Sequence, residues 1–310
     1  MTQKTEAVLQ GSDIRREMST GDNRDERGLG RTGDDATQQK LVTALFGSTA
    51  KRWKTLYDSK DIYARIFQHR LAATLAFIDK LSMEDNSEIL DVGCGAGLAS
   101  VALADRGHFV EALDIAPAML QSTREHALQA GVAHRVKARL GDVHQLAFPN
   151  DTFNVVIAIG LTAWLDSLQG PLQEIARVLQ PGGYLIISAA NRWSLHRLLD
   201  PRLNPGLAPA RRAARRLLNL QPRRGTPKAA HYSFYSPQEF DSILALAGFK
   251  KLESTMVGFG PFSILGRKLL PDSAGVFVDR RLQQLADDKA PFIRSAGRIY
   301  LVLARKLEPG

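Results

Sequence analysis

From Glu88 to Gly97 the chain reads Glu-Ile-Leu-Asp-Val-Gly-Cys-Gly-Ala-Gly, an apolar run that breaks into three glycines at alternate positions. Such a stretch predicts a buried strand that turns sharply into a helix through a loop with almost no side chains. Gly93, Gly95 and Gly97 can take positive φ and admit a ligand against bare backbone. The N–H groups that open the following helix then face that ligand. A chain with this feature is held to an α/β fold with a nucleotide-like molecule at a strand end.

The rest of the chain is read around that anchor. Strands are expected near 88–92, 109–113, 135–140, 153–159 and 183–189, with amphipathic helices near 98–106, 117–130 and 171–179. This alternation argues for a parallel sheet with helices on both faces. Upstream, Leu41–Phe46 and Asp61–Leu81 have helical periodicity, with Ile62, Ile66, Ala73, Phe77 and Leu81 on one side, and predict a helical cap. Downstream, Pro181-Gly182-Gly183 predicts a tight turn into the fifth strand. Ser236, Pro237 and Glu239 spell a helix start with a capping box, and Gly248 ends that helix. Strands near 250–257 and 298–305, with a helical insertion around 262–290, complete the sheet.

Residues 1–40 hold seven Lys/Arg and eight Asp/Glu with almost no large apolar side chains, so they are expected to form a disordered tail. Residues 41–310 read as one domain: a cap over 41–86, a ligand-binding core over 87–190, a basic lid insertion over 191–235 and a substrate-side half over 236–310. Cys94 is the single cysteine, which excludes an internal disulfide and any multi-cysteine metal site; it reads as a small filler between glycines. The chain has no H-E-x-x-H, no paired zinc ligands and no G-x-S-x-G, and no metal is expected. No run approaches the ~18 apolar residues of a membrane span, and the N-terminus has no signal-peptide core, so a cytoplasmic protein is expected.

Spacing decides the ligand. A dinucleotide fingerprint needs G-x-G-x-x-G, and here the third glycine arrives one residue early, with Leu98 where a small residue belongs. Gly28-Leu29-Gly30-Arg31-Thr32-Gly33 does fit that pattern, but it follows no apolar run and sits among charges. Asp91 to Gly97 instead resembles the first motif of class I S-adenosylmethionine-dependent methyltransferases, whose small-molecule members include ubiquinone and tetrapyrrole-biosynthetic methylases. The resemblance implies a Rossmann-like seven-stranded sheet, its last strand antiparallel, and S-adenosylmethionine as cofactor.

The resemblance also implies roles. Asp114, 21 residues after Gly93 at the end of the second strand, would accept both ribose hydroxyls; a helix cap is the plainer reading. Asp142, in Gly141-Asp142-Val143 after the third strand, would accept the adenine amino group, and Ile115 and Val143 would sandwich the ring. Asp91 would order the glycine loop and approach the cofactor ammonium. Gly160, ending the fourth strand, would allow close approach. Asn154 stands where the family usually has Asp, at a mainly structural position.

The acceptor is less constrained. A sulfonium methyl is already activated, so the enzyme must chiefly align a nucleophile and remove its proton where needed. Thr162, Trp164 and Asp166 follow the fourth strand, and Asn191, Arg192, Trp193 and His196 follow the fifth; His231, Tyr232 and Tyr235 precede the capped helix. His231 is the first candidate for general base and His196 the second; each also reads as a surface histidine. Nucleic-acid amino methyltransferases resemble one another in an N-P-P-Y-like loop, and here that place reads Ile159-Gly160-Leu161-Thr162-Ala163-Trp164. An apolar or aromatic small-molecule acceptor methylated at oxygen is therefore expected. A cofactor-binding regulatory or assembly protein, or an RNA methyltransferase, are the alternatives. From Arg192 to Lys228 there are ten Lys/Arg and one acid, Asp200. That run reads as a solvated lid helix, as a dock for anionic lipid at the inner membrane, or as an RNA-binding surface.

Overall fold

The computed structural model describes residues 38–47, 59–81, 83, 87–218 and 232–308. The glycine pattern at 28–33 and His231 lie outside the described residues. Helix α1 covers residues 38–47, and α2 covers Ile62–Asp79. The expected tail boundary is corrected accordingly: residues 38–40 are helical.

Beyond α2 the order is β1 (Glu88–Val92), α3 (Leu98–Asp105), β2 (Phe109–Asp114), α4 (Pro117–Gln129), β3 (Val136–Leu140), β4 (Phe153–Ala158), α5 (Gln169–Val178) and β5 (Leu179–Ala190). Then come α6 (Leu195–Leu199), α7 (Ala208–Leu217), α8 (Pro237–Leu246), β6 (Phe249–Val257), the hairpin β7 (Ser263–Ile264) and β8 (Arg267–Lys268), α9 (Asp272–Asp287) and β9 (Ile299–Lys306). The main sheet has seven strands in the order β3-β2-β1-β4-β5-β9-β6. The first five pair in parallel, and β9 runs antiparallel to both β5 and β6. The strand order reverses at β1, so a crevice opens between the carboxyl ends of β1 and β4.

The pleat explains why the central strands are apolar almost throughout. Leu90 and Val156 join one core with Phe240 and Phe249, while Ile89, Val155 and Ile157 join the opposite one with Phe77 and Leu103. Successive side chains serve opposite faces, and both faces are covered. Each fully buried Leu, Ile or Phe contributes about 1.5–3 kcal/mol. The capping box is formed as read: Glu239 N–H donates to Ser236 Oγ, and Ser236 N–H donates to the Glu239 carboxylate.

Two regions depart from the sequence reading. Pro181-Gly182-Gly183 lies inside β5, because Leu179 already pairs with Phe153 before the register jumps to Tyr184 against Val155. Gly182, at φ 74°, takes up the extra residues as a bulge. The insertion after β6 begins as a hairpin and becomes helical only at α9. From α9, the buried Asp279 accepts hydrogen bonds from the N–H groups of Phe259 and Gly260 at 2.6 and 3.2 Å, and Gln283 accepts one from Gly258 at 3.1 Å. The other side of this loop rests on α2, where a Cβ at Gly258 would lie 2.7 Å from Ile66 and one at Gly260 2.6 Å from Ile62.

Candidate active site at the strand tips

The turn after β1 builds the floor of a cavity of about 200 Å³. The N–H groups of Gly93 and Cys94 both donate to the Leu113 carbonyl, at 2.7 and 3.0 Å, folding the loop against the end of β2. Gly93, Gly95 and Gly97 have φ of 71°, 55° and 78°, the left-handed region that glycine tolerates. Their surroundings differ. A Cβ on Gly95 would meet nothing within 4 Å, so any side chain there would enter the cavity. Gly97 does not line the cavity; a Cβ there would sit 2.5 Å from Thr123 on α4, so its place in the motif is for helix packing, a correction to the ligand-facing role expected of it.

The acidic residues fall where the spacing put them. Asp114 Oδ2 accepts from the Gly95 N–H at 2.9 Å and Oδ1 from the Ala116 N–H at 2.8 Å, so the carboxylate steadies the loop while lining the cavity. Burial raises its pKa. Asp91 is 2% exposed and accepts from Ser100 Oγ at 2.6 Å. Burial, with Asp114 nearby, pushes its pKa up to about 7 despite that hydrogen bond. Asp142 Oδ1 accepts from the His144 N–H at 2.9 Å, and its Oδ2 accepts from the Gln39 amide at 2.5 Å, which brings α1 down onto the cavity. The half-buried Ile115 and the buried Val143 line the same end. Gly160, at φ 81°, donates to Ser188 Oγ at 2.8 Å and lies beneath Arg70 of α2. Cys94 fits its reading as filler: burial raises its thiol pKa well above the ordinary value, so it is no thiolate. Asn154 is exposed and donates to Gln180, away from the cavity.

At the far end of the cavity stand Thr162, Trp164, Asp166, Asn191, His196 and Tyr232, whereas Arg192, Trp193 and Tyr235 do not line it. His196 is 5% exposed, and burial with the nearby Arg298 holds its pKa near 4. A ring that holds a proton so weakly is ill suited to draw one from a hydroxyl at neutral pH, which corrects the general-base role expected of it. Sequence reasoning missed Arg70, Arg197, Arg298 and the α1 residues Gln38 and Gln39, all of which line the cavity.

A methyltransferase domain model matches residues 90–187, the segment from β1 through most of β5. Residues 90–187 thus belong to the methyltransferase domain family. Among curated methyltransferases, the malonyl-[acyl-carrier protein] O-methyltransferase of Serratia marcescens is 34% identical over 169 residues, 54% of this chain and 60% of that protein. The ubiquinone biosynthesis O-methyltransferase of Aeromonas salmonicida is 29% identical over 158 residues, 51% of this chain and 65% of that one. The matched segments thus span under two thirds of either relative. Two solved structures share the fold at 16% identity: the [4+2]-cyclase SpnF, with a TM-score of 0.57 over 88% of this chain and 97% of that one, and magnesium protoporphyrin IX methyltransferase from Synechocystis with bound SAH, at 0.55 over 86% and 98%.

The cavity fits this family's cofactor, S-adenosylmethionine. Its ribose diol, adenine amine, ammonium and carboxylate call for two or three acids, one cation and a stretch of bare backbone. Asp114, Asp142 and Asp91, Arg70 and the Gly93–Gly95 backbone stand around one cavity.

Proposed function

We propose that this chain transfers a methyl group from S-adenosylmethionine to an oxygen of a small, partly apolar acceptor in a biosynthetic pathway. The carrying observation is a single cavity that runs from the glycine loop and the acids of β1–β3 to an apolar wall of Phe67, Trp164, Tyr232 and Phe234. In it, Asp114 accepts from the ribose hydroxyls, Asp142 from the adenine amine, and Ile115 and Val143 flank the ring. Asp91 meets the ammonium, and Arg70, over Gly160, meets the carboxylate. The cofactor supplies a methyl group already activated by positive sulfur. The protein's part is to hold an acceptor oxygen in line, roughly 3–3.5 Å from that carbon, and to keep water away with the aromatic wall. Where the acceptor is a hydroxyl, His231 is proposed as its base, and His231→Ala should then slow turnover by about 100-fold without weakening the cofactor.

Incubating the purified chain with labelled S-adenosylmethionine and a cell extract tests the proposal. Label should appear in a small molecule carrying one added methyl; label confined to RNA or protein, or absent with the cofactor demonstrably bound, rejects it.

A second reading concerns location. No described helix is long and apolar enough to cross a membrane. Yet Trp193, Leu198 and Leu199 are exposed, as are Arg212 and Arg216 of the following helix α7. We propose peripheral docking of residues 192–217 on anionic lipid. Co-sedimentation with phosphatidylglycerol vesicles at low salt and loss at high salt is expected; equal recovery with neutral vesicles rejects it.

A further inference from the structure

The short helix α6 is polar inside and apolar outside. Its leucines Leu198 and Leu199 are 37% and 47% exposed, while Arg197 is 3% exposed and faces the cavity. The guanidinium lies 3.8 Å over the Phe234 ring, and its Nε donates to the Arg192 carbonyl at 3.2 Å. The terminal nitrogens make no hydrogen bond and no ion pair among the described residues. Burial first, then the nearby cations Arg298, Arg192 and Arg211, bring its pKa down to about 10 against a small opposing effect of Tyr232, so it remains charged at neutral pH. Glu239 pairs with Arg192 and Asp200 with Arg202. A desolvated cation crowded by other cations and lacking a counterion is strongly unfavourable unless an anion arrives from outside.

A path of rings leads from the cofactor end to this cation. Phe46 of α1 packs beside Ala96 of the glycine loop and stands edge-on to Trp164 at 5.2 Å. Trp164 meets Tyr232 at 4.9 Å, Tyr232 meets Phe234 at 5.0 Å, and Phe234 lies under Arg197. Resting on the methyl-transfer reading above, we infer that the acceptor is an amphipathic anion whose carboxylate or phosphate docks on Arg197, with its apolar body along the Trp164–Tyr232–Phe234 wall. The cofactor's own carboxylate does not fill this role, because Arg70 stands nearer its end of the cavity, over Gly160. Arg197 thereby sets which acceptors are admitted; it is a specificity residue and takes no proton.

Equilibrium binding to the full chain saturated with S-adenosylhomocysteine tests this with three probes of one tail length: decanoate, decyl phosphate and decanol. At least one anionic probe should bind about tenfold or more tightly than decanol, and whichever of the two wins identifies the headgroup. Arg197→Met should abolish that preference while leaving S-adenosylhomocysteine affinity unchanged, and Arg197→Lys should retain part of it. Decanol binding as tightly as both anions, none of the probes binding, or Arg197→Met weakening S-adenosylhomocysteine instead would overturn the inference. Should Arg197→Met fail to fold, the wild-type comparison still decides. None of these readouts needs turnover: methyl transfer can fail with the anion preference intact, and the preference can fail while methyl transfer persists.

Discussion

The two ends of the cavity are built by opposite means. At the cofactor end, the backbone makes the shape and acids make the charge, and every key group is tied down: Asp114 to Gly95 and Ala116, Asp91 to Ser100. At the acceptor end, side chains make the shape, cations make the charge, and the two terminal nitrogens of Arg197 make no hydrogen bond among the described residues. The first end is complete without an acceptor; the second is finished only when something fills it. The contrast separates a motif that many chains can share from a pocket that belongs to one substrate.

The contrast would break most sharply at Gly95. Gly95→Arg places a long cation in open cavity at a positive φ, and should cost more than about 100-fold in cofactor affinity by calorimetry while the melting temperature falls by only a few degrees from the backbone strain. Unaltered affinity would move the cofactor elsewhere.

Next comes the charge state of the floor. The Asp91 carboxyl has an ordinary pKa of 3.8 and a folded one of about 7. Between those values the folded protein keeps a proton that the unfolded chain has lost, so stability should fall as pH rises through this window, by on the order of 3 kcal/mol. Asp114, raised in the same direction, steepens the slope. Denaturant titrations of the cofactor-free protein at pH 4.5, 5.5 and 6.5, about evenly spaced across that window, should show the fall, and Asp91→Asn should flatten it.

Gly97→Ala sharpens the distinction between two glycines of one motif. The methyl group would press on Thr123 at 2.5 Å and hold a strained φ of 78°, so the loss should be about 2 kcal/mol in unfolding free energy, with affinity nearly unchanged once the protein is folded. The smallest effect is expected at Gln39→Ala. Removing the amide frees Asp142 Oδ2, and cofactor affinity should shift by less than about tenfold.

Much of the first end was legible because its chemistry is local. Asp91 to Gly97 run without interruption from the end of β1 through the turn, Asp114 closes β2 and Asp142 follows β3 by two residues, so strand order in a parallel sheet brings them together. Even there, spacing could not tell that Gly95 faces the cavity and Gly97 faces Thr123, since that depends on where α4 packs. The second end is assembled from α2, the β4 and β5 termini, α6 and the start of β9, which no motif joins. Arg70 did carry a signal: it follows Ile66 by one helical repeat on the buried side of α2, an odd place for a cation. Arg197 carried a misleading one, because it lies within the basic run from Arg192 to Lys228, whose readings all place its charges at the surface. The leucines beside it, Leu198 and Leu199, lie outside while the arginine lies inside, the reverse of the usual partition. The turn at Pro181-Gly182-Gly183 became a bulge because Leu179 could already pair with Phe153.

The clamp that Asp279 and Gln283 place on residues 258–260 reaches further than its own loop. That loop is wedged between α9 and the Ile62–Ile66 stretch of α2, one helical turn from Arg70. The C-terminal region therefore backs the stretch of α2 one turn ahead of the cation over Gly160, so a change of volume in that wedge is expected to reach the cavity through α2.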